Sequence, residues 1–338
     1  MKAILLDGKK NVEVVEKPIP ELLEGYALVK VMAAGICGTD IEMLYNNPNS
    51  TTITPGHEVS GIIEKVNNCT TFKPGDRIFL NCHITCNTCS DCKEGDYIFC
   101  KELSVIGFDV DGGMAEYIAV PEAILRKLPD DLTYEQGVLI TDALGTPFHA
   151  AKKTEINKGE IVCVSGAGPL GILCILSAVH FGATVIAIDI VEERLNMAQR
   201  FGASHIINGM SDVKKEIEEI TNGKGVDKVI ECSGSARAIL NDIDILKNRG
   251  VMVQVGVCSQ ITMDLFETLI KKEIVLKGSR NFNDSEIPEM IELIRNTERI
   301  DEIISHRFLL SEADKAFQLA EERTGIKIVF LPEEKETL

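Results

Sequence analysis

The feature that most constrains the fold of this chain is a glycine-rich turn between two predicted elements. An apolar, β-branched run from Ile161 to Val164 leads into the sequence GAGPLG at residues 166–171, and a helical pattern then runs to Phe181. A strand, a glycine turn and a helix in this order are typical of a dinucleotide-binding βαβ unit. An ordinary glycine turn is the alternative.

The residues of this turn have different predicted roles. Gly166 permits a tight turn, Gly168 lets the backbone approach a pyrophosphate, and Gly171 lets the helix lie close to the strand. Pro169 and Leu170 belong to this turn, and the amides and dipole of the helix that follows it would hold the phosphates.

An acidic residue follows at the position expected for ribose binding. The strand-like run from Thr184 to Ile188 ends on Asp189, roughly 20 residues beyond the glycines. A carboxylate there can accept hydrogen bonds from a ribose 2′-hydroxyl but repels a 2′-phosphate, so the sequence favours NAD over NADP. Arg194, in the next predicted helix, completes the predicted cofactor-binding set.

The segment from Leu170 to Ile188 is nearly free of polar residues and is about long enough to span a bilayer. Gly182 divides it where helical spacing gives way to β-branched residues. Strands of parallel sheets are apolar on both faces. We therefore predict a helix followed by a buried strand of a soluble domain.

Composition limits the class of protein. The 338 residues suffice for two domains with separate cores, and the net charge of −17 argues against nucleic acid or anionic membrane as a partner. No signal-peptide pattern begins the chain, which predicts a cytoplasmic protein. Eleven cysteines, five of them between Cys82 and Cys100, favour metal ligation over disulfides in a reducing compartment.

Two short motifs near the N-terminus carry candidate metal ligands. Residues 1–35 have the short apolar runs of a small β-rich domain, and they lead into Gly-Ile-Cys37-Gly-Thr-Asp and later Pro-Gly-His57-Glu. A thiolate and an imidazole at glycine-flanked turns are good zinc ligands, but a catalytic zinc usually takes three protein ligands. From these residues alone, a buried cysteine and a satisfied histidine remain the alternatives.

Four cysteines form a stronger metal-binding pattern, on a lobe that spans residues 82–100. They are Cys86, Cys89, Cys92 and Cys100, spaced C-x2-C-x2-C-x7-C. Four thiolates at this spacing can close a tetrahedron around zinc with no open position, which predicts a structural site. An iron–sulfur cluster and disulfides are the alternatives, although the usual bacterial cluster run ends in C-x3-C-P, which Cys100 does not satisfy.

The second half of the chain alternates helix-like and strand-like segments. Residues 133–153 are predicted to be helical, with Asp142 near the middle. The later segments follow the βαβ rhythm of a doubly wound sheet, and Ile274 to Lys277 completes six strands. A closing strand is predicted from Lys327 to Phe330, and the acidic stretch from Glu333 to Glu336 is expected to be a frayed end.

Five motifs occur in the order of a known family, namely those at Cys37, at His57, at the four cysteines, at Gly112 to Tyr117 and at Gly166 to Asp189. The chain resembles the medium-chain zinc-dependent alcohol and polyol dehydrogenases, such as sorbitol, threonine and sugar dehydrogenases. The resemblance implies an α/β fold with a doubly wound parallel Rossmann sheet plus a β-rich, GroES-like catalytic domain. It implies a discontinuous catalytic domain, residues 1–148 and 282–338, and an NAD-binding domain, residues 149–281.

The resemblance also implies the ligands of a catalytic zinc. In the family, the Cys and the His of the first two motifs bind zinc, and a third ligand lies shortly before the nucleotide domain. Cys37, His57 and Asp142 match these places, with a helix-capping aspartate as the alternative for Asp142. Asp40 resembles the acid that fixes the ring of the zinc-bound histidine, and Glu58 the acid beneath the metal that assists ligand exchange. Ordinary surface carboxylates are the alternative for both acids.

Thr39 and Glu42 concern the proton path. By resemblance, Thr39 accepts the proton of the substrate hydroxyl and passes it toward the cofactor ribose. Many relatives then carry a histidine in C-G-T-D-x-H, whereas this chain has Glu42. An acid occurs there in some sugar dehydrogenases of the family. Glu42 is therefore a candidate relay base or substrate contact, with a solvated glutamate as the alternative.

Together these implications predict an NAD-dependent oxidoreductase with two zinc ions per chain, one catalytic and one structural. The favoured substrate is a secondary hydroxyl of a polyol or sugar-like molecule; a simple secondary alcohol and L-threonine are alternatives. A different class, a catalytically silent NAD-binding sensor or partner protein, should lack a zinc ligand or the relay hydroxyl. The family implies a homodimer or homotetramer, and we expect no nucleic-acid or membrane partner.

Overall fold

A computed structural model describes residues 1–50 and 52–332 of the chain, which separate into two compact units. Unit 1 comprises Met1–Ala143, Asn283–Ile287 and Ile294–Leu338, and unit 2 comprises Leu144–Phe282 and Pro288–Leu293. Residues 144–148, which the sequence assigned to the first domain, group with unit 2 because they begin a helix of that unit. The acidic stretch 333–336 lies outside the described residues.

Unit 1 is rich in β-structure, as the short apolar runs predict. Its first strands are β1 (Lys2–Leu6), β2 (Val12–Glu16), β3 (Tyr26–Ile36), β4 (Glu58–Asn67), β5 (Arg77–Leu80), β6 (His83–Ile84), β7 (Ser104–Val105), β8 (Tyr117–Pro121) and β9 (Leu125–Lys127). Its first helices are α1 (Gly38–Asp40), α2 (Ser90–Glu94) and α3 (Tyr134–Val138). Further helical turns span Ile41–Tyr45, Tyr97–Phe99, Glu122–Ile124 and Leu139–Ala143.

Unit 2 is a doubly wound parallel sheet. Its strands are β10 (Ile161–Ser165), β11 (Thr184–Asp189), β12 (His205–Asn208), β13 (Val226–Glu231), β14 (Leu246–Gln254) and β15 (Val275–Gly278). Its helices are α4 (Leu144–Lys153), α5 (Pro169–His180), α6 (Glu192–Arg200), α7 (Val213–Thr221) and α8 (Ala236–Ile245), with a helical turn at Phe266–Ile270. Among the described residues the sheet has six strands in the order β12-β11-β10-β13-β14-β15. The strand order reverses between β10 and β13, where open sheets of this kind bind ligands.

The last strands of the chain belong to unit 1. The elements after β15 are α9 (Ile287–Asn296), whose middle part Pro288–Leu293 groups with unit 2, and then β16 (Ile304–Phe308), α10 (Ala313–Glu321) and β17 (Lys327–Phe330) of unit 1, with helical turns at Asp284–Glu286, Ile300–Ile303 and Leu310–Glu312. β17 pairs with β3, and the strand order of this sheet is β16-β17-β3-β4-β5-β9. β8 also pairs with β3. The long strand β3 thus lies between neighbours from both ends of the sequence.

Each unit has its own apolar core. In unit 1, inward-facing residues of β3 and β4 pack with Phe317 of α10 and Phe330 of β17. In unit 2, β-branched residues of the parallel strands pack with Ile239 and Ile243 of α8. These buried apolar strands are what the sequence pattern predicts for a parallel sheet.

The apolar segment after the glycine turn divides as predicted. Helix α5 ends at His180, Gly182 adopts a φ of +85°, and β11 begins at Thr184. Across residues 1–50 and 52–332, every helix is too short or too polar to cross a bilayer.

Asp242 is a buried acid on α8 whose side chain is only 1% exposed. Its Oδ2 atom lacks a hydrogen-bond partner among the described residues. Burial raises the pKa of Asp242 well above its usual value, and Glu231 adds to the rise while a hydrogen bond with Ser165 opposes it. The folded protein therefore binds a proton that the unfolded chain releases above about pH 4.

Replacing Asp242 by Asn should make stability less dependent on pH. Because the folded pKa is raised, this group's contribution is fully present below the unfolded pKa and is lost as the pH rises through the folded pKa. Asp242→Asn removes that loss. The melting temperature of the variant, relative to that of the native protein, should therefore rise as the pH increases from 4 to 8, by roughly 2–4 °C for each kcal/mol of unfolding free energy. Differential scanning fluorimetry checks this. The control is Asp244→Asn, because Asp244 is an exposed neighbour that pairs with Lys214. A melting-temperature difference between Asp242→Asn and the native protein that stays constant across this pH range would contradict the prediction.

Candidate active site

Four potential metal ligands converge in unit 1. One donor atom each from Cys37, His57, Glu58 and Asp142 lies within 4.8 Å of the others. Asp142 Oδ2 is 3.9 Å from Cys37 Sγ and 3.8 Å from His57 Nε2. Ligands of one tetrahedral zinc with bonds of about 2.0–2.3 Å are about 3.3–3.8 Å apart, so this donor set fits such an ion after small shifts.

A closed turn at the end of β3 positions Cys37. The Cys37 backbone N–H donates to Asp40 Oδ2 at 2.9 Å, and the Asp40 N–H donates to the Cys37 carbonyl at 3.1 Å. The turn brings the Thr39 hydroxyl to 3.5 Å from Cys37 Sγ. The thiol and the hydroxyl that the sequence predicts for one site therefore lie side by side.

The second carboxylate oxygen of Asp40 faces the imidazole of His57. Asp40 Oδ1 and His57 Nδ1 are 3.4 Å apart, both are buried, and neither makes a shorter hydrogen bond among the described atoms. This attraction turns Nε2 toward Asp142. Burial lowers the pKa of His57, but the charge of Asp40 and the contacts with Asp142 and Cys37 outweigh it and raise the pKa well above 6.5. This approach is compatible with the orienting role that the resemblance implies for Asp40, and that role stays a prediction.

Asp142 reaches the cluster through a break in the predicted helix 133–153. Thr141 has a ψ of −143°, which is not helical, between the turns of α3 and α4. The Thr141 hydroxyl stabilises the break by donating to the Val138 carbonyl at 2.5 Å. The carboxylate of Asp142 therefore lies half-buried beside Cys37 and His57.

Glu58 is fully buried and is paired with a lysine that the sequence analysis did not select. Lys327 Nζ donates to Glu58 Oε1 at 2.8 Å, to Oε2 at 2.7 Å and to the Ile36 carbonyl at 3.1 Å. Burial lowers the pKa of Lys327, but Glu58 and then Cys37 outweigh it, and the net shift is upward. The available signal was a lysine at the start of the otherwise apolar strand KIVF.

Glu42 lies apart from this cluster. Its side chain is 60% exposed and its carboxylate is 3.6 Å from the guanidinium of Arg323. This environment supports the alternative that Glu42 is a solvated glutamate. Its roles as a relay base or a substrate contact stay predictions.

The four cysteines of the lobe also converge. Cys86 Sγ lies 3.9 Å from Cys92 Sγ and 3.6 Å from Cys100 Sγ, and Cys86 Sγ accepts the Cys89 N–H at 3.4 Å. Thiolates around one zinc are about 3.8 Å apart, so the set fits the ion. None of the cysteines of the described chain forms a disulfide. Hydrogen bonds led by Thr88 lower the pKa of Cys86 to about 6, whereas burial raises that of Cys92 to about 12.

The glycine turn of unit 2 has the geometry that a dinucleotide requires. Gly166 adopts a φ of +88°, and a Cβ at Gly171 would lie 1.8 Å from the Gly166 carbonyl oxygen. A Cβ at Gly168 would meet nothing within 4 Å, so the backbone is open to a ligand there. Pro169 and Leu170 form the first turn of α5, whose N-terminus favours phosphate.

Asp189 at the end of β11 is bonded to the same turn. Its Oδ2 accepts the Ala167 N–H at 2.7 Å and its Oδ1 accepts the Val191 N–H at 2.9 Å. Arg194 Nη1 lies 3.9 Å from Oδ1. The carboxylate therefore shapes the turn and supplies negative charge where the ribose is expected.

Glu231, the last residue of β13, is a supporting residue that is absent from the predicted site. Its carboxylate accepts the N–H groups of Ser233 at 2.8 Å and Gly234 at 3.0 Å, and the side-chain amide of Gln254 at 2.5 Å. A Cβ at Gly166 would lie 2.8 Å from the Ser233 nitrogen, so this loop contacts the glycine turn closely. The signal was a charged residue at the carboxyl end of a buried strand.

Comparison with known proteins decides the family. The model of the alcohol dehydrogenase GroES-like domain matches residues 24–130, and the zinc-binding dehydrogenase model matches residues 169–296. A sorbitol dehydrogenase of Halalkalibacterium halodurans is 33% identical over 98% of this chain and 99% of its own length. The chain belongs to the medium-chain zinc-binding dehydrogenase family. This dehydrogenase is thus an oxidoreductase of the zinc-type alcohol and polyol class, as predicted.

Solved structures agree with this dehydrogenase throughout its length. Galactitol-1-phosphate dehydrogenase from Escherichia coli has a TM-score of 0.91 at 28% identity, covering 98% of this chain and 100% of that one. A candidate zinc-binding dehydrogenase from Sinorhizobium meliloti, bound to NADP, has a TM-score of 0.90 at 30% identity, with 98% and 99% covered. The predicted α/β fold, a Rossmann sheet with a GroES-like domain, is confirmed. The roles of individual site residues stay predictions.

Proposed function

We propose that this dehydrogenase oxidises a secondary hydroxyl of a polyol or sugar-like substrate and transfers the hydride to NAD. The observation that carries the proposal is the convergence of Cys37, His57 and Asp142 at spacings that suit a tetrahedral zinc. Three protein ligands leave one position for a substrate oxygen, as in catalytic zinc sites. The sorbitol and galactitol-1-phosphate dehydrogenases among the similar proteins favour a polyol over a simple alcohol.

The residues of the chain divide the work around that site. Zinc, when bound, supplies a Lewis acid that lowers the pKa of a substrate hydroxyl. Thr39, whose hydroxyl lies beside Cys37, relays the proton: it accepts the proton of the substrate hydroxyl and donates its own toward the cofactor ribose. Asp40 holds the ring of His57 by facing its Nδ1 atom. A second zinc in the four-cysteine lobe would have no open position and would stabilise that lobe.

The proposed cofactor is NAD, held by the glycine turn. Gly168 leaves space for a pyrophosphate and the amides of α5 bind it. Asp189 accepts a hydrogen bond from the ribose 2′-hydroxyl and repels a 2′-phosphate. Because the similar protein from Sinorhizobium meliloti binds NADP, the charge of Asp189 is the feature on which this choice rests.

Assembly into a homodimer or homotetramer in the cytoplasm is part of the proposal. Apolar side chains are exposed at the edge strand β15 and in the segment before it; they are Val257, Leu265, Phe266, Ile270 and Val275. An exposed apolar edge of a sheet favours pairing with a second copy. Sedimentation equilibrium distinguishes the two assemblies from a monomer.

The test of the proposal is the formation of NADH by the zinc-loaded protein with a panel of substrates. The panel holds sorbitol, xylitol, galactitol 1-phosphate, L-threonine and 2-propanol, each with NAD and with NADP. We expect turnover of at least one polyol with NAD. Turnover of L-threonine or 2-propanol alone would contradict the polyol assignment, and binding of NAD with no turnover at all would favour the silent sensor.

A further inference from the structure

We propose that Cys174 and Cys232 are a redox-sensitive pair: a hydroperoxide joins them in a disulfide, and this bond lowers the affinity of unit 2 for NAD. The effect on NAD rests on the proposed function, because it concerns the proposed cofactor site. The formation of the disulfide does not depend on it. Both cysteines lie outside the two groups of potential metal ligands.

The thiols of the pair are in contact. Cys232 Sγ lies 3.5 Å from Cys174 Sγ, and both cysteines are free. Other sulfur contacts of similar length, among the residues that the structure describes, occur within the four-cysteine lobe, where the proposed zinc accounts for them. A disulfide has an S–S distance of about 2.05 Å, so the two sulfurs need to approach by about 1.5 Å. A local adjustment of unit 2 therefore suffices to link them.

The two cysteines differ in their access to solvent. Cys174 is fully buried on α5, whereas Cys232, which follows β13, is partly exposed. A hydroperoxide therefore reaches Cys232 first. The hydrogen bond with Cys174 and then partial burial raise the pKa of the Cys232 thiol well above its usual value. Because little thiolate is present at neutral pH, we expect oxidation of the pair to take minutes to hours rather than seconds.

One hydroperoxide supplies the whole oxidation. The sulfur of Cys232 attacks the peroxide, the O–O bond breaks, and Cys232 becomes a sulfenic acid while hydrogen peroxide loses its other oxygen as water. The sulfur of Cys174 then attacks the sulfenic sulfur, so that an S–S bond forms, the S–O bond breaks and a second water leaves with the thiol proton. The pair loses two electrons and the peroxide gains two. A dithiol reductant reverses the bond by exchange.

The pair connects two segments that border the glycine turn. Cys174 lies on α5, whose first turn is proposed to bind the pyrophosphate. The Cys232 N–H donates to the Ser165 carbonyl at 2.8 Å, at the end of β10. A Cβ at Gly166 would lie 2.8 Å from the nitrogen of Ser233, the next residue of the loop. A disulfide would therefore pull the loop after β13 toward α5 across the glycine turn.

The glycine turn has little room to absorb this movement. A Cβ at Gly171 would lie 1.8 Å from the Gly166 carbonyl oxygen and 3.8 Å from Cys232 Cβ, so α5 already lies against the turn and the loop. The shifted loop would crowd the backbone at Gly166 and Gly168, where the pyrophosphate is proposed to bind. Because a misplacement of about 1 Å can cost about 100-fold, we expect the Kd for NADH to rise by at least about tenfold. By linkage, the bound cofactor should oppose the disulfide equally.

The test treats the zinc-loaded protein with hydrogen peroxide and measures the linkage and the affinity separately. Tandem mass spectrometry of tryptic peptides identifies the linkage and distinguishes Cys174 from Cys163, which lies on the same peptide. Fluorescence titration gives the Kd for NADH before treatment, after it and after dithiothreitol. A chromogenic chelator records zinc release, so that oxidation of metal ligands is measured on the same samples.

We expect a linkage between Cys174 and Cys232 in the native protein, a rise in Kd that dithiothreitol reverses, and slower linkage in the presence of saturating NAD. Cys232→Ser should show neither the linkage nor the rise in Kd. Cys174→Ala should stop at the sulfenic acid of Cys232, which dimedone traps. Either variant tests the pair if the other does not fold.

The matched control is Cys258→Ser. Cys258 is a partly exposed cysteine of unit 2 that contacts the Gln260 carbonyl and lies outside the pair. This variant should form the linkage and lose affinity for NADH as the native protein does.

Three results would count against the account, and each concerns a different part of it. Treatment that oxidises Cys258 but produces no linkage between Cys174 and Cys232 would overturn the inference. A linkage with an unchanged Kd for NADH would overturn the effect on the cofactor. A native protein that binds no NADH before treatment would contradict the proposed cofactor, while mass spectrometry would still decide whether the disulfide forms.

Discussion

Replacement of Cys37 by serine should reduce kcat/KM by at least about 1000-fold, because a Lewis acid contributes several kcal/mol to the transition state. Serine is close in size to cysteine, and the turn depends on the backbone of Cys37 and on Asp40, so the fold should persist. The hydroxyl is a poor zinc ligand compared with a thiolate. The rate of NADH formation and the melting temperature measure the two effects separately.

A matched control comes from the same unit. Cys69 is half-buried, belongs to neither of the two proposed metal sites and contacts the Tyr26 carbonyl. Cys69→Ser should leave turnover within about twofold of the native rate, as expected for a change outside the site. Turnover of Cys37→Ser within tenfold of native would show that the thiol is not needed and would contradict the ligand assignment.

Replacement of Asp189 by serine should shift the cofactor preference from NAD toward NADP. Loss of a charged hydrogen bond costs about 1.5–3 kcal/mol, which corresponds to roughly 10- to 100-fold in kcat/KM for NAD. NADP should improve at the same time, because the 2′-phosphate no longer meets a carboxylate. Steady-state kinetics with both cofactors measure the ratio.

Asp189→Asn separates charge from structure. Asp189 also accepts the N–H groups of Ala167 and Val191, and asparagine keeps a carbonyl oxygen for one of them. We expect Asp189→Asn to retain more of the fold's stability than Asp189→Ser and still to accept NADP better than the native protein. An unchanged ratio in both variants would remove Asp189 from cofactor selection.

The features of this protein that the sequence predicts are those determined by residues close together in the chain. The turn at 166–171 and the spacing of the four cysteines are local patterns, because a glycine backbone and a tetrahedral ion impose fixed short spacings. The six parallel strands follow from β-branched runs that alternate with helical patterns. In each case the predicting residues lie within one element or one loop.

The residues that the sequence analysis missed depend on distant pairing. Lys327 and Glu58 are 269 residues apart and meet only because β17 and β4 both flank β3. In the sequence, Glu231 resembles any residue at the end of a strand. Its role depends on the contact between the following loop and the glycine turn, which only the structure shows. The break at Thr141 could not be predicted, since the surrounding residues favour a continuous helix and tertiary contacts override that preference.

The proposed function implies two separate metal sites in each chain, and the zinc content per chain tests this most directly. Plasma emission spectrometry of the purified native protein and of Asp142→Ala would provide the count, with NADH formation measured on the same samples. We predict two zinc ions in the native chain and one in Asp142→Ala, together with the loss of turnover. A single zinc that persists in Asp142→Ala would leave only the four-cysteine site and would contradict the catalytic centre at Cys37, His57 and Asp142.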